Sequence, residues 1–294
     1  MTNDILLSII ASGLIMGGIF ALVATGLTVV FGVTKIVNFA HGEFLMLGMY
    51  FVLYMHRITL ISPYLCVLVA VPVFFLLGAL YYKFVLGLVM HRDSEVHILT
   101  TLGTSIVLQS LALACFDPDV QTLPGSLALA PISIGKVRLS SERIVAFVAA
   151  LAILGLMTLL LSRTRLGKVV RACADNSDLA TAAGISTKLI SMIVFGIGAS
   201  TAAFAGGMIL PFFPVSPYVG FSFTITCFVI VVLGGLGNLR GALIAALLIG
   251  LIESATEFFW IASLKQVVTF GLFALTLLFR PSGLFGRSKE WMTV

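Results

Sequence analysis

From residue 5 to residue 33 the chain carries no charged side chain, and charge-free runs return at 62–82, 98–116, 144–162, 189–210 and 221–236. Most are close to the roughly 20 residues that carry a helix across the hydrocarbon of a bilayer. Inside lipid every backbone N–H and C=O must be paired within the protein, which leaves helices and closed barrels as spanning structures. A barrel would show short alternating segments rather than long continuous apolar runs. The composition agrees. Of 294 residues, 60% are hydrophobic and 10% charged, against roughly 25% charged in soluble domains. A chain of this kind cannot cover a water-facing surface of its own size. The fold class is therefore all-α, a polytopic transmembrane helical bundle, and residues 1–294 read as a single domain.

Further runs at 43–55, 241–262 and 265–279 bring the expectation to about eight to nine spans, some of them glycine-broken. The stretch 5–33 exceeds what one span requires. Its glycines at 13, 17, 18, 26 and 32 allow one tilted helix or a helix followed by a broken half-helix. The N-terminal MTNDILLSII lacks the basic region of a cleaved signal peptide, so this run is expected to stay as a span. A charged loop is expected at 83–97, and a turn-rich one at 116–143, where Pro118, Pro124, Gly125, Pro131 and Gly135 cluster.

Alternating the spans places Lys35, Lys83, Arg92, Arg163, Arg165, Lys168, Arg171, Lys188, Arg240, Arg280, Arg287 and Lys289 on one side. Arg57, Lys136, Arg138, Arg143 and Lys265 fall on the other. Basic loops stay in the cytoplasm, so the richer side is expected inside, with the N-terminus external and the C-terminus cytoplasmic. The net charge of +5 is then topology. The basic residues form no single patch with interleaved aromatics, so no nucleic-acid partner is expected. Cys66, Cys115, Cys173 and Cys227 have no CxxC spacing, which suggests neither a disulfide framework nor a zinc site.

Several chemistries lack their residues. There is no GxxxxGK[ST] loop, so ATP binding of that type is not expected in this chain, and there is no HExxH or GxSxG. An intramembrane enzyme would need a cluster of titratable groups at one depth, and the candidates are few: His41, Glu43, Glu253 and Glu257.

Four constellations stand out. In Asn38-Phe39-Ala40-His41-Gly42-Glu43, polar groups lie between apolar runs. They form either a broken helix near a transport path or a plain cytoplasmic turn with Glu43 at a helix N-terminus; spacing alone favours the turn. Residues 233–241, LGGLGNLRG, hold four glycines, Gly234, Gly235, Gly237 and Gly241, too many for a stable helix interior. With Asn238 they either face a polar substrate, as broken segments of transporters do, or make a tight cytoplasmic turn. Glu253 and Glu257, at i and i+4, repel when both are charged. They line a watery path or, the favoured reading, sit as surface charges near Lys265. The fourth is the loop 163–188. Arg163, Arg165, Lys168 and Arg171 mark topology and lipid head-groups. Asn176 or Ser177 can then cap a short helix, Asp178 suits its first turn, and Gly184 can stop it. A small-faced helix on the water side, unable to bury an apolar face of its own, suits a groove in a partner.

These residues carry a resemblance. Asp178-Leu-Ala-Thr-Ala-Ala-Gly184 resembles the EAAxxxG motif of ABC-importer permeases, with Asp in the Glu position and Leu in the first Ala position. Arg171-Ala-Cys-Ala-Asp175-Asn176 resembles the RAxADN stretch of LivH-type branched-chain amino acid permeases. GLTVVFGVTKIVNFAHGEFLMLG (26–48), VVLGGLGNLRGALIAALLIGLIES (231–254) and RPSGLFG (280–286) extend the likeness over nearly the whole chain. The resemblance implies a permease subunit without catalysis or cofactor of its own. Its expected partners are two cytoplasmic ATPase subunits that use ATP, a second, LivM-type permease, a periplasmic binding protein and the lipid of a bacterial inner membrane. It implies a coupling role for Arg171, Asp175, Asn176, Asp178, Ala180 and Gly184. It also points to a translocation path near Asn38, His41, Gly42, Glu43, Gly234, Gly235, Gly237 and Asn238. The family includes urea and short-chain amide permeases, so the motifs leave the cargo open. A stand-alone secondary transporter or channel is the competing reading.

Overall fold

The computed structural model describes residues 2–116, 118–123, 132–134, 137–261, 264–280 and 283–285. The described residues are helical almost throughout. Its long helices are α1 (Thr2–Thr34), α2 (His41–Thr59), α3 (Pro63–Tyr81), α5 (Ser94–Phe116), α6 (Ser141–Arg163), α9 (Thr187–Ile209), α10 (Val219–Gly234), α11 (Leu239–Phe259) and α12 (Leu264–Phe279). Short helices α4 (Gly87–Val89), α7 (Arg165–Asp175) and α8 (Ser177–Ala182) complete the set. Among the described residues, six helices are long and apolar enough to cross a membrane: α1, α3 extended through α4, α5, α6, α9 and α11. Helices α10 and α12 are apolar but have 16 residues each, about 24 Å of rise, short of the roughly 30 Å hydrocarbon core.

The glycines of the first run do not break it. Helix α1 is continuous over 33 residues, and its glycines serve packing. A Cβ on Gly13 would lie 2.7 Å from the Leu251 Cα, one on Gly17 2.9 Å from the Leu247 Cα, and one on Gly250 2.5 Å from the Gly17 Cα. Helices α1 and α11 thus run antiparallel with backbones nearly touching. Lipid supplies no hydrophobic drive for helices to associate, so close van der Waals contact through small residues takes its place. The same device seats α9 against two neighbours. Gly78 of α3 meets the Phe195 carbonyl, and Gly48 of α2 meets Ala203. Helix α9 is buried from Val194 through Ile209, which makes it, with α1, the centre of the bundle.

Two expected loops hold regular structure among their described residues. Helix α3 does not stop at Lys83. It continues through a π-helical turn, Tyr82–Leu86, into α4, because Tyr82 and Leu86 are buried against Val194 and Phe195. Between α5 and α6, Ile132–Ile134 (β1) and Val137–Leu139 (β2) pair antiparallel, with Ile132 opposite Leu139. Pro124, Gly125, Pro131 and Gly135 lie outside the described residues. Gln121 bridges to Val215 through two backbone hydrogen bonds of 2.9 Å and takes the Arg57 guanidinium on its side chain at 2.8 Å. At the opposite end of the bundle, Lys35, His91, Asp175 and Lys188 surround one cavity of about 640 Å³. Of the loops expected to share a side, those at 35, 83–97, 163–188 and 240 share an end, here called the basic end; Arg287 and Lys289 lie outside the described residues.

Two outcomes are expected in detergent unfolding titrations. Gly17→Leu loses about 1–3 kcal/mol by overpacking. Gly103→Leu, in α5 with open space around its Cβ, stays within about 0.5 kcal/mol of the wild type.

Candidate functional site

The segment Lys35–Ala40 leaves the basic end and returns into the bundle as non-helical chain. Its turn begins at Lys35, which adopts φ +57°. Helix α2 then starts at membrane depth. The imidazole of His41 lies 3.1 Å from the Val23 carbonyl, about 16 Å back along α1 from Thr34. A carbonyl only accepts, so Nε2 of His41 carries the proton. The favoured reading of Asn38–Glu43 as a plain water-facing turn is therefore corrected. Asn38, His41 and Glu43 are 2%, 1% and 0% exposed. Oxygen Oδ1 of Asn38, Nε2 of His41 and Oε1 of Glu43 pair within the protein, which lowers the cost that drives polar residues to water.

A helix that begins inside a membrane has free N–H groups without water to meet them. The Asn38 side chain accepts from the Ala40 N–H at 3.1 Å, and the Thr224 hydroxyl of α10 accepts from the Gly42 N–H at 2.9 Å. Thr224 in turn donates to the Gly220 carbonyl at 3.1 Å. Any side chain at Gly42 would meet that carbonyl, and any at Gly220 would meet the Glu43 carboxylate. The two glycines let α2 and α10 cross in backbone contact. Oxygen Oε1 of Glu43 accepts from Ser105 at 2.8 Å and Gln109 at 2.9 Å, both on α5. Its Oε2 lies beside Gly220 in the first turn of α10 and has no hydrogen-bond partner. The positive end of a helix dipole favours an anion there. Glu43 thus joins α2, α5 and α10 at one point.

The glycine-rich stretch 233–241 is a tight turn at the basic end, between α10 and α11. Gly235 and Gly237 have φ +93° and +79°, where a side chain is strained. Gly234 and Gly241 meet backbone to backbone. Asn238 caps α11 by accepting from the Gly241 N–H at 3.1 Å and donates to the Phe285 carbonyl at 2.8 Å. Leu284 N–H reaches the Leu233 carbonyl at 2.8 Å. Two motifs that are distant in sequence, 233–241 and 280–286, are therefore one assembly; Pro281, Ser282 and Gly286 of the second lie outside the described residues. The turn abuts the end of α1 at Gly32, so the structure does not bring it to His41 and Glu43.

The loop 163–188 folds as two helices rather than one. The Thr164 hydroxyl caps α7, and Arg171 donates back to the Leu161 carbonyl. The Asn176 side chain caps α8 by accepting from the Asp178 and Leu179 N–H groups, each at 3.0 Å. Gly184 closes α8 at φ +84°, with its N–H on the Thr181 carbonyl at 2.9 Å and that of Ile185 on the Ala180 carbonyl at 3.0 Å. Ala180 is buried and seats the helix against Val170, Cys173 and Ile190. Asp175, Asn176, Asp178 and Gly184 are exposed. So is Leu179, at 68%, the residue that departs from the small one expected at that position of the motif. Burial pushes the Cys173 thiol above its ordinary range.

The branched-chain amino acid transport system / permease component family matches residues 9–277. The chain belongs to this family. It is 32% identical over 297 residues to the high-affinity branched-chain amino acid transport system permease protein BraD of Pseudomonas aeruginosa, covering 95% of each chain. It is 32% identical over 299 residues to LivH of Salmonella typhimurium, covering 95% of this chain and 94% of that one. A probable branched-chain amino acid transport permease protein LivH of Methanocaldococcus jannaschii is 29% identical over 304 residues, 95% of this chain and 92% of its own. No solved structure matches the chain. The family membership and the apolar helices together identify a multi-pass membrane permease subunit.

Two outcomes check the site. Glu43→Ala lowers transport by the assembled system more than Glu257→Ala, since only Glu43 joins three helices; uptake of radiolabelled substrate compares them, and equal effects would remove Glu43 from this role. Cys173 reacts with a charged maleimide about tenfold more slowly, or more so, than a cysteine placed at exposed Ser177, because only the accessible thiolate attacks.

Proposed function

We propose that this permease carries branched-chain amino acids into a bacterial cell across the inner membrane. Separate ATPase subunits drive it, a periplasmic binding protein feeds it and a second permease of the LivM type pairs with it. The names of the relatives, matched over 95% of this chain, support the cargo. The observation that carries the mechanism is α8, a capped helix of six residues that stands out from the basic end with Leu179 in water.

The basic end is then cytoplasmic, as the excess of lysine and arginine favours, with the N-terminus external and the C-terminus inside. Leu179 enters a groove on an ATPase subunit, with Asp178, Asn176 and Asp175 around it as a polar rim. ATP binds to those subunits, and this chain supplies no cofactor site. Closure of the ATPase pair moves α8. The short Gly184–Ser186 connection passes the movement to α9, whose close contacts with α2 and α3 hand it to the bundle. The α2–α10 crossing at Gly42 and Gly220 has no side chain between its backbones, so it can shift as a unit between arrangements open to either side. Among polar groups, Glu43 holds that crossing to α5.

The expected test is Leu179→Asp in the assembled transporter. Burying an unpaired carboxylate in an apolar groove is costly, so the variant should lose ATP-driven uptake and co-purify less ATPase while still inserting in the membrane. Full uptake and normal co-purification by Leu179→Asp would remove α8 as the docking element. Uptake driven by an ion gradient through the chain alone would favour a secondary transporter.

A further inference from the structure

The acid pair Glu253 and Glu257 is divided by the structure. Glu257 forms an ion pair with Lys265 and is exposed. Glu253, one turn earlier on α11, turns between α11 and α12, where its Oε1 accepts from the Thr269 hydroxyl at 3.2 Å. It lines a cavity of about 470 Å³ that also holds Lys265. Glu253 lies about 21 Å along α11 from Leu239, so the cavity is in the half of the bundle away from the basic end.

The lining has a consistent chemistry. One wall is apolar and partly aromatic, made by Met16 and Phe20 of α1, Phe213 of the α9–α10 connection and Phe223 of α10. Phe223 stacks edge to face with both Phe20 and Phe213, at centroid distances of 6.0 and 5.6 Å, which fixes the wall. The other side presents one carboxylate, Glu253, and one ammonium, Lys265, with Glu257 holding the lysine. Ser222 and Gln266 are exposed beside it. Exposed hydroxyl and amide groups on membrane helices belong against water or protein rather than lipid.

We infer that this cavity is one half of a substrate site for an apolar α-amino acid zwitterion. Glu253 receives the α-ammonium, Lys265 the α-carboxylate, and the Met16–Phe20–Phe213–Phe223 wall the branched side chain. The open side, at Ser222 and Gln266, is closed by the second permease. The inference rests on the proposed function and deepens it, assigning the substrate contact to named residues of this chain. A purely apolar molecule would make no use of the charges on Glu253 and Lys265, which would keep their contacts with Thr269 and Glu257, and a purely polar one would leave the aromatic wall unmatched. Only a molecule with both charges beside a hydrocarbon satisfies the three parts together.

The test uses the complete transporter in nanodiscs and in proteoliposomes. In nanodiscs without binding protein, bound tritiated leucine is competed with leucine, with isoamylamine, which lacks the carboxylate, and with isocaproate, which lacks the ammonium. Wild type should prefer leucine to each analogue by about tenfold or more, the worth of a charge-assisted contact. In Lys265→Gln the preference over isoamylamine should collapse while that over isocaproate stays. In Glu253→Gln the reverse should hold. These are ratios and do not depend on how much complex folds, and a merely structural role would not produce the crossed pattern. Wild-type leucine uptake in proteoliposomes, together with variants that keep both preferences, would overturn the site alone. A wild-type complex that takes up no branched-chain amino acid would overturn the function and the site with it.

Discussion

The hydrogen bond from the Gly42 N–H to the Thr224 hydroxyl supports much of this architecture. A helix that starts within a bilayer exposes backbone donors that lipid cannot satisfy. Here α10 supplies the missing acceptor, and it can do so only because Gly42 and Gly220 let the two backbones touch. The same contact sets Glu43 against the first turn of α10 and within reach of Ser105 and Gln109 on α5. A polar, charge-bearing point joining three helices follows from the single need to pair one N–H group.

Close backbone approach is the second constraint. Helices α1 and α11, α3 and α9, and α2 and α9 all meet at glycines where a Cβ would collide. Tightly packed interfaces of this kind have few intermediate arrangements and favour discrete shifts over gradual deformation. That property suits a permease that must expose its path to one side at a time. The exposed face of α8 is built differently. Helix α8 is held by caps at both ends and by buried Ala180, and it leaves Leu179 and its acidic neighbours free.

Much of this was legible in the sequence because its signals are local. The apolar runs place the long helices within a few residues, since hydrocarbon thickness sets their length. The caps at Asn176 and Gly184 were readable because a cap depends on residues within one turn. The family stretches were readable as motifs. Misreadings arose where a local signal has two structural meanings. Glycines in α1 allowed either one long helix or a break, and the structure makes them contact points in one continuous helix. Polar residues at 38–43 suggested water and proved to be buried, because their partners, Val23, Ser105, Gln109 and Thr224, lie far along the chain. Glu253 and Glu257 looked alike, and only their positions around α11 separate them.

Composition and hydrophobic runs alone determined that the chain is a helical membrane bundle with a basic end, because lipid restricts backbone hydrogen bonding and spanning length whatever the detail of packing. Tertiary structure alone decided which polar residues lie inside the bundle, that α2 begins at membrane depth on α10, that the 233–241 turn and the 283–285 tail form one unit, and that Glu253 shares a cavity with Lys265. Each of these depends on a partner beyond its own helical turn, from 12 residues away for Glu253 and Lys265 to 182 for Gly42 and Thr224, and no local pattern encodes where such a partner will be.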